Sequence, residues 1–200
     1  MKKILIIGAG AMGSAFSIPC AENNNDVTII GSVLENDFIS SMKSNKHLHP
    51  SLNVVLPNNI KIEKFEKINV IADTDLDLIV VAVSSVGIDW AGDEISKFYK
   101  SNIPIVLLTK GLSIIDDQLT TLTEKLEMIL KKNGHNKVSI SSVKGPCLAS
   151  GLANKMRTGT IIANKNINEA QKIKNIIQTG YYKCEISDDI KGVEISSAIK

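Results

Sequence analysis

Arginine is almost missing from this chain: Arg157 is the sole example among 23 basic residues, so a guanidinium fork for a substrate phosphate is scarce. Cysteine is nearly as rare. Cys20, Cys147 and Cys184 are odd in number, far apart and never spaced as Cys-x-x-Cys, which indicates neither a disulfide framework nor a zinc site and fits a reducing cytoplasm. No apolar run nears the roughly 20 residues of a membrane span. Charge of one sign is lacking too. The 23 basic and 21 acidic residues leave a formal +2, spread along the chain, so electrostatics argue for no nucleic acid and no anionic membrane, and point to a small-molecule substrate. Internal repeats and low-complexity stretches are absent. His47 and His49 stand beside Pro50 without further ligands, so they read as solvated or locally bonded loop histidines and no metal is expected.

What is present is concentrated at the start. Ile4-Leu5-Ile6-Ile7 is a short continuous apolar run, the signature of a strand covered on both faces. It feeds into Gly8-Ala9-Gly10-Ala11-Met12-Gly13. In this spacing Gly8 turns the chain, Gly10 lets a pyrophosphate approach the backbone, and Gly13 lets the next helix pack against the sheet. The unpaired N–H groups at that helix's start then favour an anion. Lys2-Lys3 before apolar residues imitates a secretory signal, but the glycines interrupt it too early.

Downstream, helices and strands alternate, with 44% hydrophobic residues to build a core. The pattern predicts a helix over 11–23 bent at Pro19, a strand over 26–30 and a helix over 33–44. It then predicts a short strand over 59–63 and a buried strand over 77–83. Where an acid would grip the adenosine 2′-hydroxyl stand Gly31 and Ser32. Their presence permits NADP, and no Arg or Lys beside Ser32 demands it, so the cofactor is NAD or NADP. Ser84, after the buried strand, either meets that cofactor or caps the next helix, over 86–99. A strand over 103–109 delivers Lys110-Gly111 to the crevice at the carboxyl end of the sheet, unless Lys110 is an ordinary solvated lysine. A helix over 117–132, a strand over 137–143, a turn from Lys144 to Gly151, a strand over 158–163, a helix over 168–178 and a strand over 181–186 continue the βαβ alternation. Ser187-Asp188-Asp189 then caps a helix through Ile190, Val193 and Ala198 to Lys200 that has no closing signal. The expectation is a Rossmann-type doubly wound α/β fold, mainly parallel, with a dinucleotide-binding domain over 1–187 and the first helix of an absent helical domain over 188–200. A frayed terminal helix is the alternative.

In order, the chain carries Gly8-Ala9-Gly10-Ala11-Met12-Gly13-Ser14-Ala15, His49-Pro50 with Leu56-Pro57-Asn58-Asn59-Ile60, and Val81-Ala82-Val83-Ser84-Ser85. Thr109-Lys110-Gly111-Leu112, Gly145-Pro146-Cys147-Leu148-Ala149 and Asp189-Ile190-Lys191-Gly192-Val193-Glu194-Ile195-Ser196-Ser197-Ala198-Ile199-Lys200 follow. This set resembles the NAD(P)-dependent sn-glycerol-3-phosphate dehydrogenases over essentially the whole chain. The resemblance implies interconversion of glycerol 3-phosphate and dihydroxyacetone phosphate in glycerophospholipid synthesis, with a full-length homodimer. It implies that Lys200 exchanges a proton with the C2 oxygen and that Lys110 orients substrate. It also implies that Gly8, Gly10, Ala11, Met12, Gly13, Ser32, Ser84, Lys110 and Ala149 contact cofactor, and that Lys110, Cys147 and Lys200 contact substrate. Two departures stand out: Cys147 where relatives hold Asn, Ser or Thr, and Gly151 where many hold Glu. The Asn after the catalytic lysine and the family's later Asp, Thr and Arg have no counterpart in these 200 residues, so turnover by this chain is expected to be negligible. Rival readings are a ketopantoate-reductase-like enzyme, which shares the glycine loop but not Thr109-Lys110-Gly111 or the segment from Gly192 to Lys200, and a non-catalytic dinucleotide-binding module.

Overall fold

The computed structural model describes residues 1–199. In chain order, β1 (Lys3–Ile7), α1 (Ala11–Glu22), β2 (Asp26–Ile30), α2 (Asn36–Ser44), β3 (Leu48–His49), β4 (Val54–Val55) and β5 (Ile60–Glu63) come first. Then come α3 (Ile68–Ala72), β6 (Leu78–Val81), α4 (Ile88–Ser96), β7 (Ile105–Leu107), β8 (Leu112–Ile115), β9 (Gln118–Thr121) and α5 (Leu122–Lys132). The last are β10 (Ile140–Lys144), α6 (Ala149–Ala153), β11 (Thr158–Ala163), α7 (Ile167–Ile177), β12 (Tyr182–Ser187) and α8 (Ile190–Ile199). Eight strands form one sheet in the order β12-β11-β10-β7-β6-β1-β2-β5. From β1 the chain winds outward through β2 to β5, then returns to the other side of β1 at β6, which puts a topological switch between β1 and β6.

The central strands are unbroken apolar runs because each face has its own core. In β1, Ile4 and Ile6 join Phe16, Ile29, Ile39 and Ile173 on one side, while Leu5 and Ile7 join Ile79, Ile88, Leu107 and Leu126 on the other. Successive side chains of a strand point to opposite faces, and fully burying each Ile or Leu contributes about 1.5–3 kcal/mol. Helix α1 continues past Pro19 to Glu22; the lost hydrogen bond does not end it.

Two expectations from pattern need correction. The predicted helix over 117–132 begins only at Leu122, because residues 112–121 form a β8–β9 hairpin whose turn residues Asp116 and Asp117 both take positive φ, 50° and 58°. Two aspartates accept that conformation where most residues resist it. The true helix start is Thr121, whose Oγ1 accepts from the Glu124 N–H at 3.2 Å while the Glu124 carboxylate accepts from the Thr121 N–H at 3.0 Å. The second correction concerns direction: β10 and β11 are antiparallel, while β11 and β12 are parallel to each other. The helix between β10 and β11, α6, has five residues, about 8 Å of rise, against about 17 Å of strand to retrace for a parallel return. The chain therefore re-enters the sheet at the end it left.

Candidate functional site

Because β2, β1, β6, β7 and β10 are mutually parallel, their carboxyl ends share one edge of the sheet. Ser32, the glycine loop, Ser84, Lys110 and the turn holding Cys147 and Ala149 all lie along it. Strand spacing separates the glycine loop from Lys110 by two steps, about 10 Å. The three glycines of the loop differ in why they are glycine. Gly8 has φ +113° and a Cβ there would lie 2.7 Å from the Ala82 carbonyl oxygen; at Gly13 a Cβ would meet the Gly8 carbonyl oxygen at 2.3 Å. Both are required by the close approach of α1 to β1 and β6. Gly10 is different: its φ is −63°, open to any residue, and a Cβ there would meet nothing within 4 Å. The space over Gly10 is free, and the first turn of α1, with Ala11 and Met12, holds no acidic residue and no side-chain cap. An amide cradle of this kind fits a pyrophosphate.

Both polar atoms of the Ala9 peptide are held from elsewhere in the chain. Its N–H donates to Glu35 Oε1 at 3.2 Å, and its carbonyl accepts from Ser14 Oγ at 3.0 Å. The same carbonyl lies 3.2 Å from His49 Nε2. His49 is not solvated: it is 0% exposed, with Phe38 edge-on at 5.1 Å. Its Nδ1 accepts from the Leu52 N–H at 3.2 Å, which assigns the proton to Nε2 and makes that nitrogen the donor to Ala9. Burial lowers its pKa below the usual 6.5, against the opposing pull of the Ala9 carbonyl and the Glu35 charge. With the folded value depressed, His49 contributes stability that is present above pH 6.5 and lost as pH falls through the folded value. The gap in Tm between wild type and His49→Gln is expected to shrink from pH 7.5 to pH 5. A gap constant over that range would contradict the buried neutral imidazole.

The other end of the edge carries two lysines. Lys110 is exposed and its Nζ donates to the Gly145 carbonyl at 3.2 Å, while Thr109 Oγ1 donates to the Val83 carbonyl at 2.7 Å and ties the two strand ends together. Lys144 is 3% exposed. Its Nζ donates to the Leu107 carbonyl at 2.9 Å and lies 3.5 Å from Glu194 Oε1. Burial pushes the Lys144 ammonium down to about 8; the Glu194 carboxylate opposes this and the Lys110 charge adds to it. Glu194, from α8, also accepts from Thr123 Oγ1 at 2.6 Å, the Thr123 N–H at 3.1 Å and Ser142 Oγ at 2.7 Å. Neither Lys144 nor Glu194 stood out in the sequence, since pattern alone does not show two distant residues sharing one buried pocket.

Cys147 is buried, and burial raises its thiol pKa, so it is a protonated, weakly polar group rather than a nucleophile. Ser84 is exposed and opens a short 3-10 turn without a side-chain cap bond, leaving its hydroxyl free. Ser32 is half-buried, and Ala149 begins α6 half-buried against the core. Lys200 lies outside the described residues. At the opposite end of the strands an open polar cavity of about 1170 Å³ reaches from Lys2 and Asp77 to Ser139 and Asn164. Several of its polar groups satisfy one another, as in Lys2–Asp77 at 2.8 Å and Asn164–Ser141 at 2.8 Å, and the ligand edge of such a sheet is the other one. Among the described residues no cluster of metal-ligating side chains occurs, and no helix is long and apolar enough to cross a membrane.

The geometry has close counterparts. A glycerol-3-phosphate dehydrogenase structure from Coxiella burnetii superposes with a TM-score of 0.84 at 20% identity, covering 98% of this chain and 57% of that one. One from Plasmodium falciparum gives 0.83 at 20% identity, covering 98% and 55%. These likenesses speak for the fold. In sequence, the chain is 32% identical over 200 residues to an NADP(+)-dependent glycerol-3-phosphate dehydrogenase of Archaeoglobus fulgidus, covering 98% of this chain and 57% of the relative. It is 27% identical over 203 residues to an NAD(P)+ glycerol-3-phosphate dehydrogenase of Clostridium botulinum, covering 100% and 57%. The chain thus spans a little over half the length of these relatives. Residues 3–170 match the family model described as the N-terminus of NAD-dependent glycerol-3-phosphate dehydrogenase, and with the glycine loop, the β1/β6 switch and the strand-end lysines in place, the chain belongs to that family.

Proposed function

We propose that residues 1–187 hold NAD(P)H for the interconversion of sn-glycerol 3-phosphate and dihydroxyacetone phosphate, and that residues 188–200 open the helical domain that encloses the substrate. The observation that carries this reading is the free space over Gly10 beside uncapped helix amides. The pyrophosphate would rest on the amides of Ala11, Met12 and Gly13, the adenosine ribose near Ser32, and the nicotinamide end toward Ser84, Lys110 and Ala149. Bound there, the nicotinamide carrier supplies or accepts the hydride.

The chain's own groups handle charge and position. Lys110 presents an ammonium at the strand ends, held by Gly145, where it can orient a phosphorylated three-carbon substrate. Lys200, matching the family's proton-exchanging lysine, would protonate the C2 oxygen as negative charge develops on it, and as a neutral amine would take that proton back in the other direction. Cys147 would offer this pocket only a weak hydrogen-bond partner. The chain's span of 57% of its relatives' length supports a further domain beyond the cofactor domain. Supply of glycerol backbone for phospholipids, in the cytoplasm and by a homodimer, is the role this activity would serve.

A polypeptide of these 200 residues is expected to quench and shift NADH fluorescence on binding, and to oxidise NADH negligibly when dihydroxyacetone phosphate is added. Absence of binding by both NADH and NADPH would remove the cofactor assignment; rapid substrate-dependent oxidation would overturn the division of labour between the two segments.

A further inference from the structure

The loop after β2 lacks the acid that a dinucleotide fold uses to hold the adenosine ribose, yet the structure brings one to that place. Ser32 and Glu35 close a capping box: the Glu35 Oε2 accepts from the Ser32 N–H at 2.7 Å, and its Oε1 accepts from the Ala9 N–H at 3.2 Å. The carboxylate therefore bridges the end of β2 and the glycine loop, the two segments between which the ribose diol sits in this fold. Gly31 makes the fold-back possible, since a Cβ there would stand 3.1 Å from the Glu35 Cβ and 2.9 Å from Ile39 Cγ1. Two backbone donors fix its position.

We infer that Glu35 is the residue that selects NAD over NADP in this chain, an inference resting on the reading that the glycine loop holds a dinucleotide. A ribose 2′-hydroxyl can donate to the carboxylate, which keeps lone pairs free after accepting from Ser32 and Ala9. A 2′-phosphate at the same point brings a second anion against a fixed one at short range. Within the loop itself no cation offsets that charge. No Lys or Arg occurs in 31–36, Asn36 is bonded to the carboxylate of Glu66 at 2.8 Å, and Lys43 is engaged by Glu63 at 2.9 Å. This preference is opposite to the NADP(+) in the name of the archaeal relative.

The test is a paired fluorescence titration of wild type and Glu35→Gln with NADH and NADPH, repeated by competition with adenosine 5′-monophosphate and adenosine 2′,5′-bisphosphate to isolate the adenosine end. Wild type is expected to bind NADH at least about tenfold more tightly than NADPH. In Glu35→Gln the ratio is expected to narrow several-fold, mainly through a gain for NADPH and the bisphosphate. The wild-type ratio decides by itself if the variant does not fold: equal or tighter NADPH binding overturns the assignment of Glu35 and leaves the dinucleotide reading intact. A wild-type preference for NADH that survives unchanged in folded Glu35→Gln also overturns it. Failure of both nucleotides to bind removes both readings together.

Discussion

Gly10→Val is expected to leave the fold standing and to weaken NADH binding by at least about a hundredfold, close to 2.7 kcal/mol. The two halves of this result have separate causes. The backbone at Gly10 has φ −63°, which valine adopts without strain, and its Cβ would enter open space, so Tm should stay within about 2 °C of wild type. That open space is where the pyrophosphate must approach the amides, and a branched side chain fills it. Gly13→Ala makes the contrasting control. Its methyl would fall 2.3 Å from the Gly8 carbonyl oxygen and 2.9 Å from the Ala82 Cβ, so α1 must move off the sheet at a cost of about 3 kcal/mol or more. Nucleotide titration beside thermal melts distinguishes the two. Wild-type NADH affinity in Gly10→Val would contradict the placement of the phosphates.

The second large effect lies at the joint between α8 and the sheet. Removing the carboxylate in Glu194→Ala strands the ammonium of Lys144, which is nearly inaccessible, with only the Leu107 carbonyl at 2.9 Å as partner. It also leaves Thr123 and Ser142 without their acceptor. Breaking a buried pair from one side costs about 3–5 kcal/mol, which in a chain of this size lowers Tm by roughly 10 °C. Lys144→Met combined with Glu194→Leu removes both charges and is expected to recover much of that loss, because two apolar groups of similar volume need no partner. A double mutant no more stable than Glu194→Ala would show that the hydroxyl contacts, rather than the ion pair, hold α8 in place.

The legibility of this protein in its sequence varied with the range of the interactions concerned. β1, β2, β6 and β7 could be read because a strand covered on both faces announces itself as a local apolar run. The glycine loop was legible because turn, phosphate and helix start are neighbours in sequence. In the sequence β9 reads as the first turn of a helix, because Asp117, here in the left-handed region, can equally open a helix on paper. From the sequence His49 reads only as a loop residue, since its burial depends on Phe38 and Ala9 arriving from other segments.

Local pattern thus determined the central strands, the glycine loop and the place of Lys110 at a strand end, all features whose physical cause lies within a few residues of chain. Tertiary structure alone decided which charges meet: Glu35 returning to the Ala9 amide across 26 positions and Glu194 reaching Ser142 across 52. It also decided the reversal of β11. Such pairings follow from how the sheet winds and from the need to satisfy every buried polar group, a condition that no single segment can meet by itself.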